Sequence, residues 1–170
     1  MNKIVQELRY FNRTFSRLPI EKMHCYNLAK NGQEPKALII TCSDSRVIPE
    51  KIFQLTMGEA LVIRNAGGRI TDDVLKDVEF FTHEFNTIEL VVQMGHSRCG
   101  YFAHAVAKEI DIDAIVLESL RNSFKTEQEV IDQVTKMNVV EGVQRISKVI
   151  PKHIEICGAF YDIKTGIVNF

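Results

Sequence analysis

The sequence predicts an α/β protein with a mostly parallel β-sheet flanked by helices. Short apolar runs alternate along the chain with longer segments of helical periodicity, which is the order of elements in βαβ units. The apolar runs are almost continuously hydrophobic, as expected of strands that are buried on both faces of a sheet. The composition, 45% hydrophobic and 25% charged, is typical of a globular protein.

The length and charge of the chain narrow its possible partners. We expect the 170 residues to form one domain, in which residues 1–32 are an N-terminal helical arm. The chain has a formal net charge of −1, so it lacks the excess of basic residues that is typical of nucleic-acid-binding proteins. The apolar runs are too short to span a membrane, and the first residues lack the apolar core of a signal peptide. We therefore expect a cytoplasmic protein without nucleic-acid or membrane partners.

The first two elements are predicted to be helices. Val5, Leu8, Phe11 and Phe15 recur near helical spacing over the first fifteen residues. A proline suits the first turn of a helix, so residue 19 is expected to begin a second helix, which ends near residues 31–32.

Strands and helices alternate over the rest of the chain. Buried strands are predicted at residues 36–41, 60–64 and 88–94. Helices are predicted at residues 49–55, 71–85, 99–110 and 127–149. Thr71 suits the N-cap of the second of these helices, and Pro151 follows the last. A terminal pair of strands is predicted at residues 153–161 and 166–170.

Residues suited to metal binding and acid–base chemistry stand where the predicted strands end. Cys42 ends the first strand, Arg64 and Asn65 end the second, and His96 follows the third. Ligands of open α/β sheets bind at the carboxyl ends of the strands. The functional site is therefore expected at this edge of the sheet.

A thiol, a carboxylate and a guanidinium occur together in the segment Cys42-Ser43-Asp44-Ser45-Arg46. Asp44 and Arg46 are two residues apart and can form a bidentate ion pair. Taken alone, Cys42 is also consistent with a core residue. Asp44 and Arg46, taken alone, are also consistent with an ion pair on the surface.

A second segment, Gly95-His96-Ser97-Arg98-Cys99-Gly100, places an imidazole and a thiol at a strand-to-helix turn. Taken alone it is equally consistent with a capping His and a buried Cys. Jointly the two segments supply two thiolates and one imidazole, which leaves one tetrahedral position open, as in catalytic zinc sites. Five further residues could in principle supply a fourth ligand, but none has comparable spacing; they are Cys25, Cys157, His83, His104 and His153. Ordinary packing is expected for Cys25 and Cys157.

These two segments, together with Arg64-Asn65-Ala66-Gly67, resemble the motif set of the β-class carbonic anhydrases. The resemblance runs in order from about residue 33 to residue 100 and resumes weakly at residues 158–166. It implies a zinc ion bound by Cys42, His96 and Cys99, and a catalytic dyad of Asp44 and Arg46. The implied activity is the reversible hydration of CO₂ to bicarbonate and a proton by zinc-bound hydroxide.

The same resemblance implies an assembly and a substrate pocket. Members of the family form homodimers or higher even-numbered homo-oligomers in which the N-terminal helices pack on the partner. Gln33, in a Gly-Gln-x-Pro stretch, corresponds to a residue that reaches the substrate site of the neighbouring subunit. Backbone around Gly67, Gly68 and Gly100 is expected to shape a narrow pocket for a small linear substrate.

Two positions depart from the pattern of many members. Phe81 and Phe85 stand where plant-type members have Tyr and His, so they are either core residues or an apolar replacement for a proton-transfer group. His83 and His104 are weaker candidates for that transfer. An apolar pocket also suits carbonyl sulfide or carbon disulfide, so hydrolysis of these substrates at the same zinc site is one alternative function. A non-catalytic zinc-binding homologue is another.

Overall fold

A computed structural model, which describes residues 2–170, contains one five-stranded β-sheet. Its strands are β1 (Ala37–Cys42), β2 (Ala60–Asn65), β3 (Leu90–His96), β4 (Glu155–Tyr161) and β5 (Val168–Asn169). Their spatial order is β2-β1-β3-β4-β5. The first four strands pair in parallel, and β5 is antiparallel to β4. The predicted mostly parallel sheet and the terminal strand pair are thus confirmed.

The described part of the chain contains seven α-helices. They are α1 (Lys3–Phe15), α2 (Pro19–Asn31), α3 (Pro49–Ile52), α4 (Asp72–Glu84), α5 (Gly100–Lys108), α6 (Ala114–Ser123) and α7 (Glu127–Ile146). Six of the seven helices were expected from the sequence. Helix α3 is shorter than expected. Met1, the first residue of the expected first helix, lies outside the described residues.

Helix α6 is not predicted by the sequence analysis. Its start is fixed by Asp113, whose carboxylate accepts hydrogen bonds from the N–H groups of Ile115 and Val116. Leu117 is its one buried residue, and Leu120 packs half-buried against the same core cluster.

Helix ends follow local capping chemistry. The Thr71 hydroxyl accepts a hydrogen bond from the N–H of Val74, which confirms Thr71 as the N-cap of α4. Thr126 and Glu129 form a capping box at the start of α7. Gly32 ends α2 with φ at 81°, a conformation that favours glycine.

The core lies on both faces of the sheet because successive strand side chains point to opposite sides. On one face Leu38 and Ile40 pack with Val78 of α4 and Ile146 of α7. On the other face Ile39 packs with further buried residues, which are Val47, Val92, Met94 and Ala159. Every strand that carries a candidate site residue is therefore anchored in the core.

Helices α1 and α2 contain no buried residue. Leu8 and Phe11 are more than 60% exposed, and so is Tyr26. Cys25 is also exposed, so the ordinary packing expected for it is not found within this chain, because α2 buries none of its residues. That these helices pack on a partner subunit stays a prediction. Between residues 2 and 170, no helix is both long and apolar enough to cross a membrane.

Candidate metal centre

The side chains of Cys42, His96 and Cys99 meet at the carboxyl edge of the sheet. Cys42 is the last residue of β1 and His96 the last of β3, and these parallel strands are neighbours. Cys99 occupies the N-cap of α5. All three residues are buried, and one potential ligand atom from each lies within 4.8 Å of the others. Both cysteines are free thiols.

The hydrogen bond of His96 leaves its second ring nitrogen available for a metal. Nδ1 lies 2.9 Å from the backbone oxygen of Ser97, and because a carbonyl can only accept, Nδ1 carries the proton. Nε2 then presents a lone pair, and it is buried without a hydrogen-bond partner. A backbone carbonyl bound to the other imidazole nitrogen is the usual arrangement around a metal-binding histidine.

The separation of the two thiols also fits zinc. Their sulfur atoms are 3.9 Å apart. Two thiolates at tetrahedral positions, each about 2.3 Å from zinc, lie about 3.8 Å apart. The residues present therefore fit a tetrahedral zinc ion with three protein ligands.

A hydrogen bond between the two thiols shifts their pKa values in opposite directions. Its hydrogen bond with Cys99 lowers the pKa of Cys42, and the backbone N–H of Gly67, whose nitrogen lies 3.4 Å from the Cys42 sulfur, adds to that effect. The same pairing, together with burial, raises the pKa of Cys99. Gly67 reaches the sulfur from a 3₁₀ turn that follows β2, with φ at 78°.

Asp44 and Arg46 form the bidentate pair that their spacing predicts. Arg46 donates from Nε to Oδ1 at 2.9 Å and from Nη2 to Oδ2 at 2.7 Å. Chiefly through these hydrogen bonds, Arg46 holds the pKa of the Asp44 carboxyl well below its usual range. Nη2 of Arg46 also donates to the backbone oxygen of Arg98 at 3.2 Å. The pair thus links the loop after β1 to the loop after β3.

Arg64 has a contact role that the sequence analysis does not assign. Its Nη2 donates to the backbone oxygens of Asp44 and Val47, at 2.8 and 2.6 Å. Its Nε donates to the oxygen of Cys42 at 3.3 Å. Its place near the end of the second predicted strand is the signal in the sequence, and in the structure Arg64 is the penultimate residue of β2, paired with Thr41 of β1. A cation there fixes the loop that carries the dyad.

The remaining site candidates lie outside this group. Gln33 is exposed in the connection between α2 and β1. Gly100 is the exposed first residue of α5, next to Cys99. Phe81 and Phe85 pack against the core cluster of Leu38 and Ile40, which supports the core alternative for both aromatics within this chain.

Neither weaker proton-transfer candidate is part of the three-residue group. His83 is exposed on α4, and its Nδ1 hydrogen-bonds to the backbone oxygen of Glu79 at 2.7 Å. His104 is exposed on α5.

This chain is similar to known proteins in sequence and in fold. A family model described as carbonic anhydrase matches residues 37–168. A carbonic anhydrase of Synechococcus elongatus is 41% identical over 106 residues, which cover 59% of this chain and 38% of that protein. The chain thus matches well under half the length of this curated relative.

Two further comparisons extend over more of the chain. A carbon disulfide hydrolase of an Acidianus species is 29% identical over 150 residues, which cover 75% of this chain and 72% of that protein. The structure of tetrameric β-carbonic anhydrases from Sordaria macrospora is 23% identical and superposes with a TM-score of 0.78, covering 99% of this chain and 96% of that one. At that identity the superposition shows a shared fold.

Proposed function

The chain belongs to the β-class carbonic anhydrase family, and from this we propose that it catalyses the reversible hydration of CO₂ to bicarbonate and a proton. We further propose one zinc ion per chain, bound by Cys42, His96 and Cys99. The observation that most supports this proposal is the buried, unpartnered Nε2 of His96 beside two free thiols. Three ligands leave a position open for the reaction.

Each ligand has a defined part in holding the metal. Cys42 and Cys99 supply two thiolates, which neutralise the charge of Zn²⁺. His96 supplies Nε2, while the bond from Nδ1 to Ser97 fixes its ring orientation. When bound, zinc supplies a Lewis acid that makes water nucleophilic near neutral pH.

Asp44 orients the attacking oxygen nucleophile. The low pKa of its carboxyl keeps it ionised, so it serves as a hydrogen-bond acceptor. By accepting a hydrogen bond from the nucleophile, it directs an oxygen lone pair toward the carbon of CO₂. Arg46 occupies both carboxylate oxygens and so holds Asp44 away from the metal ligands.

The substrate pocket and the assembly complete the proposal. Gly100 stands beside Cys99 with open space where a Cβ would lie, so its backbone leaves room for a small linear substrate. Gln33 contributes an amide to the substrate site of a second subunit. This requires a homodimer or a higher even-numbered assembly, and it is supported by the Sordaria macrospora β-carbonic anhydrases of the same fold, which are tetrameric.

A second candidate function is hydrolysis of carbonyl sulfide or carbon disulfide at the same centre. It is favoured by the Acidianus relative, a carbon disulfide hydrolase that matches most of both chains. A non-catalytic zinc-binding homologue is a third candidate, and the intact pair of Asp44 and Arg46 argues against it.

Two assays on protein of measured zinc content separate the three candidates. Stopped-flow measurement with a pH indicator follows CO₂ hydration, and a sulfide-release assay follows the other substrates. We expect rapid hydration with little sulfide release. Sulfide release without hydration would favour the second function, and inactivity toward all substrates in the zinc-loaded protein would favour the third.

A further inference from the structure

Arg98, between two of the proposed zinc ligands, has an unusual backbone conformation. Its φ is 57°, which is left-handed and unfavourable for a residue with a Cβ. Only Ser97 and Arg98 separate His96 from Cys99, so the φ angle of Arg98 sets the direction in which Cys99 leaves the loop. A conformation of this kind persists where the surroundings hold it.

Contacts from two other elements hold the peptide groups of Arg98. Its N–H donates to Oδ1 of Asp132, on α7, at 2.8 Å. Its backbone oxygen accepts the bond from Arg46, whose guanidinium also binds Asp44. Asp132 is itself oriented, because Gln128, one turn earlier on α7, donates to the same Oδ1 at 2.8 Å.

We infer that Asp132 is a positioning residue that holds the loop from His96 to Cys99 in its metal-binding conformation. The inference rests on the proposed function, since it concerns the proposed zinc ligands. A charged acceptor makes a stronger hydrogen bond to an N–H than a neutral one, and here that bond offsets the cost of the left-handed residue. Asp132 thus connects the helix that covers the sheet to the geometry of two metal ligands.

Arg98 provides an independent way to test this role. Glycine adopts a positive φ without the penalty of a Cβ. If Asp132 serves to hold Arg98 in this conformation, then Arg98→Gly should restore the zinc affinity that is lost when the Asp132 carboxylate is removed. A residue that contributed only to the general stability of α7 would not be rescued in this way.

The experiment measures metal binding in Asp132→Ala, Asp132→Asn and the double variant Asp132→Ala/Arg98→Gly. Zinc affinity comes from chelator competition, and ligand geometry from the thiolate-to-metal charge-transfer band of the cobalt-substituted protein. We expect Asp132→Ala to bind zinc about tenfold more weakly, with a shifted band, as when groups that orient metal ligands are removed. Asp132→Asn keeps an acceptor oxygen and should remain nearer to wild type, and the double variant should recover affinity.

Glu141→Ala, an exposed acid on the same helix, is the matched control. An Asp132→Ala protein that binds zinc within about twofold of wild type with an unchanged band would overturn the inference and leave the proposed function standing. Failure of Arg98→Gly to restore binding, or to restore folding if Asp132→Ala alone is unfolded, would also overturn it. A wild-type protein that binds neither zinc nor cobalt would instead overturn the proposed function, and this inference with it.

Discussion

At the scale of the residue, Cys42 and Cys99 differ in surroundings from the other two thiols of the chain. Both are buried beside His96, whereas Cys25 is exposed and Cys157 is half-buried in β4. We expect Cys42→Ala and Cys99→Ala to lose most of their zinc, because two remaining ligands form an incomplete site. Elemental analysis of the purified variants measures this directly.

Cys25→Ala and Cys157→Ala are the matched controls, since each removes one thiol far from the three-residue group. Both should keep about one zinc per chain if the site has the stated ligands. Full zinc occupancy in both Cys42→Ala and Cys99→Ala would remove these residues from the site.

The ion pair of Asp44 and Arg46 should matter for turnover more than for metal content. Asp44→Asn keeps the shape of the side chain but loses the charged acceptor that orients the nucleophile. Arg46→Ala frees Asp44 to approach the metal ligands. We expect each variant to lose about 100-fold or more in CO₂ hydration, the range for the loss of an orienting catalytic group, while keeping its zinc. Stopped-flow rates and elemental analysis on the same samples test this.

Activity within about twofold of wild type in both variants would show that the pair is a structural ion pair only. Lys76→Ala, which breaks the exposed pair of Lys76 and Asp73 on α4, is the control for removal of an ion pair as such.

The residues that could be predicted from the sequence are those grouped in short segments. Cys42, Asp44 and Arg46 fall within five positions, and their chemistry is visible without the fold. Arg64 and Asp132 act through contacts between distant parts of the chain, and Asp132 is 34 residues from the Arg98 amide that it binds. A single acid on an amphipathic helix has no pattern that distinguishes it, so the sequence could not indicate its role.

At the scale of the element, the contact of α7 with the sheet depends on glycine. A Cβ at Gly95 of β3 would lie 2.8 Å from the Val139 side chain and 2.9 Å from the Thr135 side chain. Both neighbours are buried and β-branched, so they have little freedom to turn away. We expect Gly95→Ala to destabilise the protein by about 1–3 kcal/mol, as overpacking in cores does.

Urea unfolding followed by circular dichroism measures this change. Gly100→Ala is the control for stability, because a Cβ there meets no atom within 4 Å. Equal unfolding midpoints for Gly95→Ala and wild type would show that α7 can move away from β3 at little cost.

Most elements could be predicted because their signals are local. Pro19, Gly32 and Thr71 mark helix ends through their own backbone and side-chain chemistry. Boundaries are less well determined, since α7 ends at Ile146 rather than near residue 149. Helix α6 was missed because its apolar stripe is only about one turn long, from the buried Leu117 to the half-buried Leu120.

At the scale of the whole molecule, the apolar face of α1 lacks a partner within residues 2–170. Leu8 is 64% exposed and Phe11 63% exposed, and α1 buries none of its residues. Contiguous exposed apolar surface of this kind marks an interaction site. The sequence predicts α1 from its periodicity and α2 from Pro19 and the stop near residues 31–32. The surface proposed to cover these helices belongs to a second subunit, so it has no local signal in the sequence.

We therefore expect the wild-type protein to sediment as an even-numbered oligomer, and Leu8→Glu/Phe11→Glu to shift it toward monomer. Charges buried in an apolar interface are strongly unfavourable, whereas the same residues contact no core in the single chain. Analytical ultracentrifugation gives the masses. Asn12→Glu adds a charge to the same exposed helix and should leave the assembly intact. An unchanged mass for the double variant would show that α1 is not at the interface.

The proposed role of Gln33 depends on that assembly, because the Gln33 amide is proposed to reach the substrate site of the other subunit. Gln33→Ala alone should reduce CO₂ hydration by about tenfold or more, the effect of losing a hydrogen bond to the reacting species. Such a loss does not by itself distinguish a contact within the chain from a contact across the interface. Mixing Gln33→Ala with a variant impaired at Asp44 makes the distinction.

Refolding Gln33→Ala chains together with Asp44→Asn chains produces mixed dimers. If Gln33 acts across the interface, one site of each mixed dimer combines a normal Asp44 with the normal Gln33 of its partner, and the other site carries both substitutions. Random pairing makes half of the dimers mixed, so about one quarter of wild-type activity should return. If Gln33 acts within its own chain, every site keeps one defect and the mixture should be no more active than the mean of the two variants. Stopped-flow hydration rates at matched zinc content decide between these results, and wild-type chains refolded with Asp44→Asn chains calibrate the recovery, since half of their sites should be active in either case.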